Sequence, residues 1–155
     1  MPSVFSVGIE IRGLKELEDK LRQLPDKMAK RVYRQAMSKA LTPLVKLMKQ
    51  YVPKRTGALR RSLTKNVKTM GSRGMIIGSA GPAKGKKIGG AMPSRYAHLV
   101  EFGTAPHWQE HMKRMHPGSA PRPFIRRAYQ EAGPSISKIF IDQVQTKLDL
   151  IASGK

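Results

Sequence analysis

The chain opens on an alternation. Between Ser3 and Arg12, Phe5, Val7, Ile9 and Ile11 fall on one side and Ser6, Gly8, Glu10 and Arg12 on the other. A period of two predicts a strand with one buried face, and Gly13 ends it. The period then lengthens: Leu14, Leu17, Leu21 and Leu24 recur every three or four residues, as a short helix with one apolar stripe requires. Pro25 suits the first turn of a further helix, where its missing amide costs little. That helix is expected from about Asp26 to Tyr51. Met28, Val32, Ala36, Ala40, Leu44, Leu47, Met48 and Tyr51 would form its buried stripe, with Lys27, Lys30, Arg31, Arg34 and Lys49 opposite. Pro43 lies inside the pattern, so a kink near residues 39–42 is expected rather than two separate helices.

Pro53 cannot continue the helix. Thr56 can cap a new short turn through its hydroxyl, and Gly57 relaxes the backbone beside it. Ser62 to Met70 reads as a strand anchored by Leu63 and Val67. Gly71-Ser72-Arg73-Gly74 reads as a hairpin turn, and Met75-Ile76-Ile77 as the start of the partner strand. Gly78 to Ser94 is rich in Gly, Pro and Lys and is expected to be an exposed loop, mobile over about 80–94. Arg95 to Thr104 carries Tyr96, Leu99, Val100 and Phe102, and periodicity alone fits a short helix or a strand. Four prolines and three histidines between Ala105 and Pro123 predict a second loop, mobile over about 105–121. Phe124 to Ala132 reads as helix and Gly133-Pro134 as an interruption. Ile136, Ile139, Phe140, Val144, Leu148 and Ile151 then carry an apolar stripe onward.

A chain of 155 residues is one domain by default, 1–155, with room for a modest core. Aromatics are few, so Leu, Ile, Val and nine Met must fill it. The absence of cysteine excludes disulfides, thiolate zinc sites and a cysteine nucleophile. The first residues lack a signal-peptide layout, so the chain is expected to begin life in a cytoplasm. No run of about 18 apolar residues is present to span a membrane. The formal net charge is +20, and its distribution is uneven. From Lys27 to Val100 there are 18 Lys and Arg and no acid at all. Such a stretch repels itself unless it meets a polyanion or an acidic protein. Glu101, alone in a long basic region, is expected to pair with an arginine.

Chemistry is sparse. His107, His111 and His116 have non-specific spacing for a metal, and the prolines around them argue against one helix presenting all three. No metal or cofactor is expected. The acids lie mostly near the chain ends on helix faces, where they read as solvent charges. The basic centre lacks the clustered carboxylates of a metal-dependent nuclease and the interleaved aromatics of a single-strand binder. Contact with DNA would run through the phosphate backbone without base readout.

Three ordered fragments carry a resemblance. They are Val52-Pro53-Lys54-Arg55-Thr56-Gly57-Ala58-Leu59-Arg60-Arg61-Ser62-Leu63, then Tyr96-Ala97-His98-Leu99-Val100-Glu101-Phe102-Gly103-Thr104, then His116-Pro117-Gly118-Ser119-Ala120-Pro121-Arg122-Pro123-Phe124-Ile125-Arg126-Arg127-Ala128, with Gly8 to Leu14 before them. The set resembles the minor tail component, or tail-completion, family of long-tailed bacteriophages. The resemblance implies an α+β subunit, with a small antiparallel sheet packed against a long N-terminal-half helix and a C-terminal helix. It further implies a structural virion protein, not an enzyme, in a ring of six at the head–tail junction. Its partners would be its own copies, the tail tube protein, a head-completion or stopper protein, and the genomic DNA in the bore. Candidate subunit-interface or core residues are Arg55, Thr56, Gly57, Leu59 and Arg60, then Tyr96, Glu101, Phe102 and Gly103, then Arg122 and Phe124. Lys84, Lys86, Lys87 and Arg73 are candidates for the DNA channel or an acidic partner. The competing expectation is a stand-alone, non-specific DNA-binding protein using the basic centre.

Overall fold

One residue in four organises the core. Phe124, Ala128, Ala132, Ile136, Phe140, Val144 and Leu148 are all buried along α6 (Phe124–Ala152). At 3.6 residues per turn such a row drifts by about 40° at each step. Over the length of α6 it therefore turns to meet successive neighbours rather than one. The computed structural model describes residues 7–8, 15–70 and 75–154. Before α6 come β1 (Val7–Gly8), α1 (Lys15–Arg22), α2 (Asp26–Ala40), α3 (Thr42–Tyr51), α4 (Ala58–Ser62), β2 (Leu63–Met70), β3 (Met75–Pro82), α5 (Pro93–Phe102), β4 (His107–Gln109) and β5 (Arg114–His116). α6 packs against α2 and α3, with α1 and α5 touching it too.

The expected α+β arrangement is present. β1, β3 and β2 form an antiparallel sheet in that order, laid against α2 and α3. The pairing of Met70 with Met75 closes β2 and β3 as a hairpin; its turn, residues 71–74, lies outside the described residues. Of the opening strand only Val7 and Gly8 are described, paired with Ala80 and Ser79. In α1, Leu21 is buried and Leu17 packs on the core, as does Leu24 just after the helix.

Three expectations need correction. The long helix is divided at Leu41 into α2 and α3, instead of being one kinked helix. Pro43 offers no amide to the Lys39 carbonyl and crowds that turn. Leu41 itself stays right-handed (φ −77°, ψ −8°). Its amide donates to Met37 (3.1 Å) and its carbonyl accepts from Val45 (3.2 Å), so the break is confined to one residue. Met28, placed in the buried stripe, is 40% exposed.

Second, the region from Gly78 is not loop at its start: β3 runs through Pro82. Gly78 is small because the helical layer presses on it, and Ala80 is buried nearby. A Cβ at Gly78 would meet Met37 Cγ at 2.6 Å and Leu41 Cδ1 at 2.9 Å. Third, Gly133-Pro134 does not interrupt α6. A residue before proline clashes chiefly through its Cβ and amide, and glycine has no Cβ. The buried row runs on from Ala132 to Ile136, and packing there outweighs the lost amide. Arg95 to Phe102 is helix, within α5.

Candidate functional site

The three sequence fragments meet at one groove of about 580 Å³. The first wall forms where α3 stops. Val52 turns extended (φ −64°, ψ 135°), and the Thr56 hydroxyl accepts from the Ala58 amide at 3.3 Å. Gly57 takes the left-handed conformation (φ 68°) that launches α4. This turn leaves Arg55, Thr56, Gly57 and Leu59 along the groove. The second wall is α5, whose Tyr96, Leu99 and Val100 share a face at i, i+3 and i+4. The third is the segment entering α6. Arg122 lines the groove while its amide donates to the Val100 carbonyl at 2.8 Å. Two arginines therefore flank an apolar floor, and Leu99 is 41% exposed there.

Glu101 and Phe124 lie behind this groove, each 1% exposed. Glu101 does not do what was expected of it. Its two carboxylate oxygens accept from backbone amides at the start of α6, Ile125 at 2.8 Å and Arg126 at 2.9 Å. The first amides of a helix lack intrahelical partners and carry the positive end of its dipole. A carboxylate there is neutralised by the helix itself. Phe102, at the end of α5, is 49% exposed beneath the Arg126 guanidinium, 5.9 Å from its ring centre. Arg60 is exposed on α4 and does not line the groove.

Gly103 begins an arm that the sequence reads as plain loop. Residues 104–119 leave α5, form the β4–β5 hairpin and return. Its base is pinned by paired backbone bonds between Thr104 and Ser119 (2.9 and 3.0 Å). Gly103 and Gly118 have φ of 74° and 82°. A Cβ on Gly118 would strike the Thr104 carbonyl, and one on Gly103 the Ser119 carbonyl, so both positions need glycine. His107 and His116 stack across the strands at 5.1 Å, and His116 Nδ1 accepts from the Gly118 amide at 3.0 Å. These imidazoles order the hairpin; no group of three or more metal-ligating side chains is found among the described residues. The strands pair with each other and make little contact with the other elements. Trp108, Met112 and Met115 are each half-exposed or more. These three were not singled out in the sequence; an apolar side chain on each strand and one at the turn was the available sign.

The basic candidates separate. Lys84 edges a shallow hollow of about 390 Å³ on the outer face of the β2–β3 hairpin, and Lys86 and Lys87 are exposed beyond it. Arg73 lies outside the described residues. Lys65 was overlooked. It shares the helix-facing side of β2 with Leu63 and Val67, a position the two-residue period marks. Its Nζ donates to the Ser38 carbonyl (2.6 Å) and the Thr42 hydroxyl (2.8 Å). Burial lowers its pKa below the ordinary lysine value, and the nearby Lys39 charge lowers it further.

No helix among the described residues is long and apolar enough to cross a membrane. Neither the curated proteins nor the solved structures contain a significant match to this chain. A family model does match. It covers residues 15–103, from α1 through the end of α5, and is described as "Bacteriophage HK97-gp10, putative tail-component". The match takes in more than half of the chain, including two walls of the groove, and the chain belongs to this HK97-gp10-like family of bacteriophage tail components.

Proposed function

We propose that this tail component is a non-catalytic joining subunit that closes into a ring of six at the head–tail junction. In this reading one side of the ring meets the tail tube and the other a head-completion protein. The carrying observation is the groove with its adjoining arm. Three separate fragments build an open apolar trough between arginines, and the arm beside it holds Trp108, Met112 and Met115 out to solvent. Large apolar groups rimmed by polar ones mark protein interfaces. A trough and a projection on one chain are two different patches, which is what a closed head-to-tail ring requires. The exposed Lys84, Lys86 and Lys87 would face an acidic neighbour or the DNA.

Light scattering on the purified chain mixed with tail tubes tests this. A closed multi-subunit species that co-sediments with tubes, and the polypeptide in purified virions by mass spectrometry, are the expected results. A monomer that ignores tubes, and virions that lack the chain, would overturn it.

A further inference from the structure

A second groove, larger than the first, runs between α2, β2 and α6 and holds about 1010 Å³. Four cations from three elements line it: Arg34 and Lys39 from α2, Lys65 from β2 and Lys147 from α6. Among the described residues, none that lines it is acidic and none is aromatic. We propose that this groove is a track for the phosphodiester backbone of duplex DNA.

Geometry supports the assignment. From Ile139 to Lys147, the α6 wall extends about 12 Å at 1.5 Å per residue. That length spans about three to four phosphates at 3.4 Å of axial rise per strand. Lys65 is fixed in advance. Two of its three donors are held by Ser38 and Thr42, so it loses little freedom on meeting an anion and keeps one donor for it. Burial, and then the nearby Lys39 charge, lower its pKa, so an arriving anion would meet a partly desolvated ammonium. Backbone contact needs cations and hydroxyls, which are present; base stacking needs aromatic platforms, which are not. An acidic protein would bring apolar anchors and look for a deep apolar pocket. Among the described residues the apolar side chains along it are Ala36, Val67 and Ile139, with no aromatic anchor among them, so DNA fits better. The proposal rests on the groove alone and holds whether or not the chain forms a ring.

The test is fluorescence anisotropy with a short labelled duplex at 50 and 200 mM salt. It compares wild type, the triple variant Arg34→Gln/Lys39→Gln/Lys147→Gln, and the equally charged Lys84→Gln/Lys86→Gln/Lys87→Gln. The groove side chains chosen carry no described structural bond, and circular dichroism checks that each variant is folded. Each phosphate contact contributes about 0.9 to the salt slope, so three lost contacts make the variant's Kd less salt-sensitive by about 40-fold over that range. The loop variant should keep more of the wild-type slope. Equal losses in both triple variants would reduce the effect to net charge and overturn the assignment. So would absence of duplex binding by the wild type. Polyglutamate binding as tight as duplex binding, lost in the same groove variant, would assign the groove to an acidic protein instead. Ring formation is read separately by light scattering, so failure of either idea leaves the other testable.

Discussion

Glu101→Gln is the most informative single change. The wild-type carboxylate is 1% exposed and accepts from the Ile125 and Arg126 amides at 2.8 and 2.9 Å. Glutamine has the same length but one acceptor oxygen, so its NH₂ must face one of those amides. One charge-assisted bond is lost, about 1.5–3 kcal/mol. The helix end also loses a neutralising charge, but relief of the carboxylate's own desolvation acts the other way, so the same range stands for the net effect. Glu101→Ala removes both bonds and leaves a void, costing about 3–5 kcal/mol. Against a total of about 5–15 kcal/mol for a domain, alanine threatens the fold and glutamine does not. Urea unfolding followed by circular dichroism measures both, and amide exchange at Ile125 and Arg126 localises the effect. Glu110→Gln, on the exposed arm, should stay within about 0.5 kcal/mol of wild type. A Glu101→Gln variant within that same margin, with both amides still protected, would refute the capping argument.

Three further outcomes follow from the same geometry. Gly118→Ala drives a Cβ into the Thr104 carbonyl at a left-handed position; it should open the arm's base, and trypsin should cut faster at Lys113 and Arg114 while helix content holds. Replacing Trp108 and Met115 with serine should leave thermal stability nearly unchanged, because both are already half-exposed, yet abolish co-sedimentation with tail tubes; undiminished co-sedimentation would remove the arm from the interface. Lys65 should titrate below ordinary lysine. Its unfolded form binds the proton more tightly, so wild-type stability should rise relative to Lys65→Met as pH climbs from the depressed pKa toward 10.5; parallel pH profiles would contradict this.

The helices were legible because their stripes are long and regular. Val32, Ala36 and Ala40 repeat on α2, and Ile136, Phe140, Val144 and Leu148 on α6, and all are buried. What hid the rest was small residues acting by size. Gly78 looks like loop, yet it is small because Met37 and Leu41 sit on it. Gly133 looks like a breaker, yet it makes room for Pro134 inside α6. At the site, Arg55, Thr56, Gly57, Leu59, Tyr96 and Arg122 do line one groove. Their convergence depends on tertiary placement of α4 against α5, which no local period encodes. Glu101 illustrates the same limit. A carboxylate amid arginines suggests an ion pair by sequence, but its partner is a helix end that only the fold brings near.

That choice of partner bears on assembly. Among the described residues, four acids have visible structural engagements. Glu101 caps α6, Glu131 accepts from the Tyr51 phenol, Asp149 accepts from Gln145, and Asp26 reaches Lys30 at 3.9 Å. Only the last of these engagements is with a cation, and that pair is loose and exposed. These four thus do little to quench a net charge of +20. Copies brought together must overcome that repulsion. Ring closure by the isolated chain should therefore strengthen as salt rises from 0.01 to 0.15 M, as the screening length falls from about 30 to 8 Å. A short duplex, added at low salt, should substitute for the salt. Analytical ultracentrifugation across that series reads both effects. Tighter association at the lowest salt without any polyanion would show that opposite charges, not screened apolar patches, hold the copies together, and the joining mechanism argued from the groove and arm would fail.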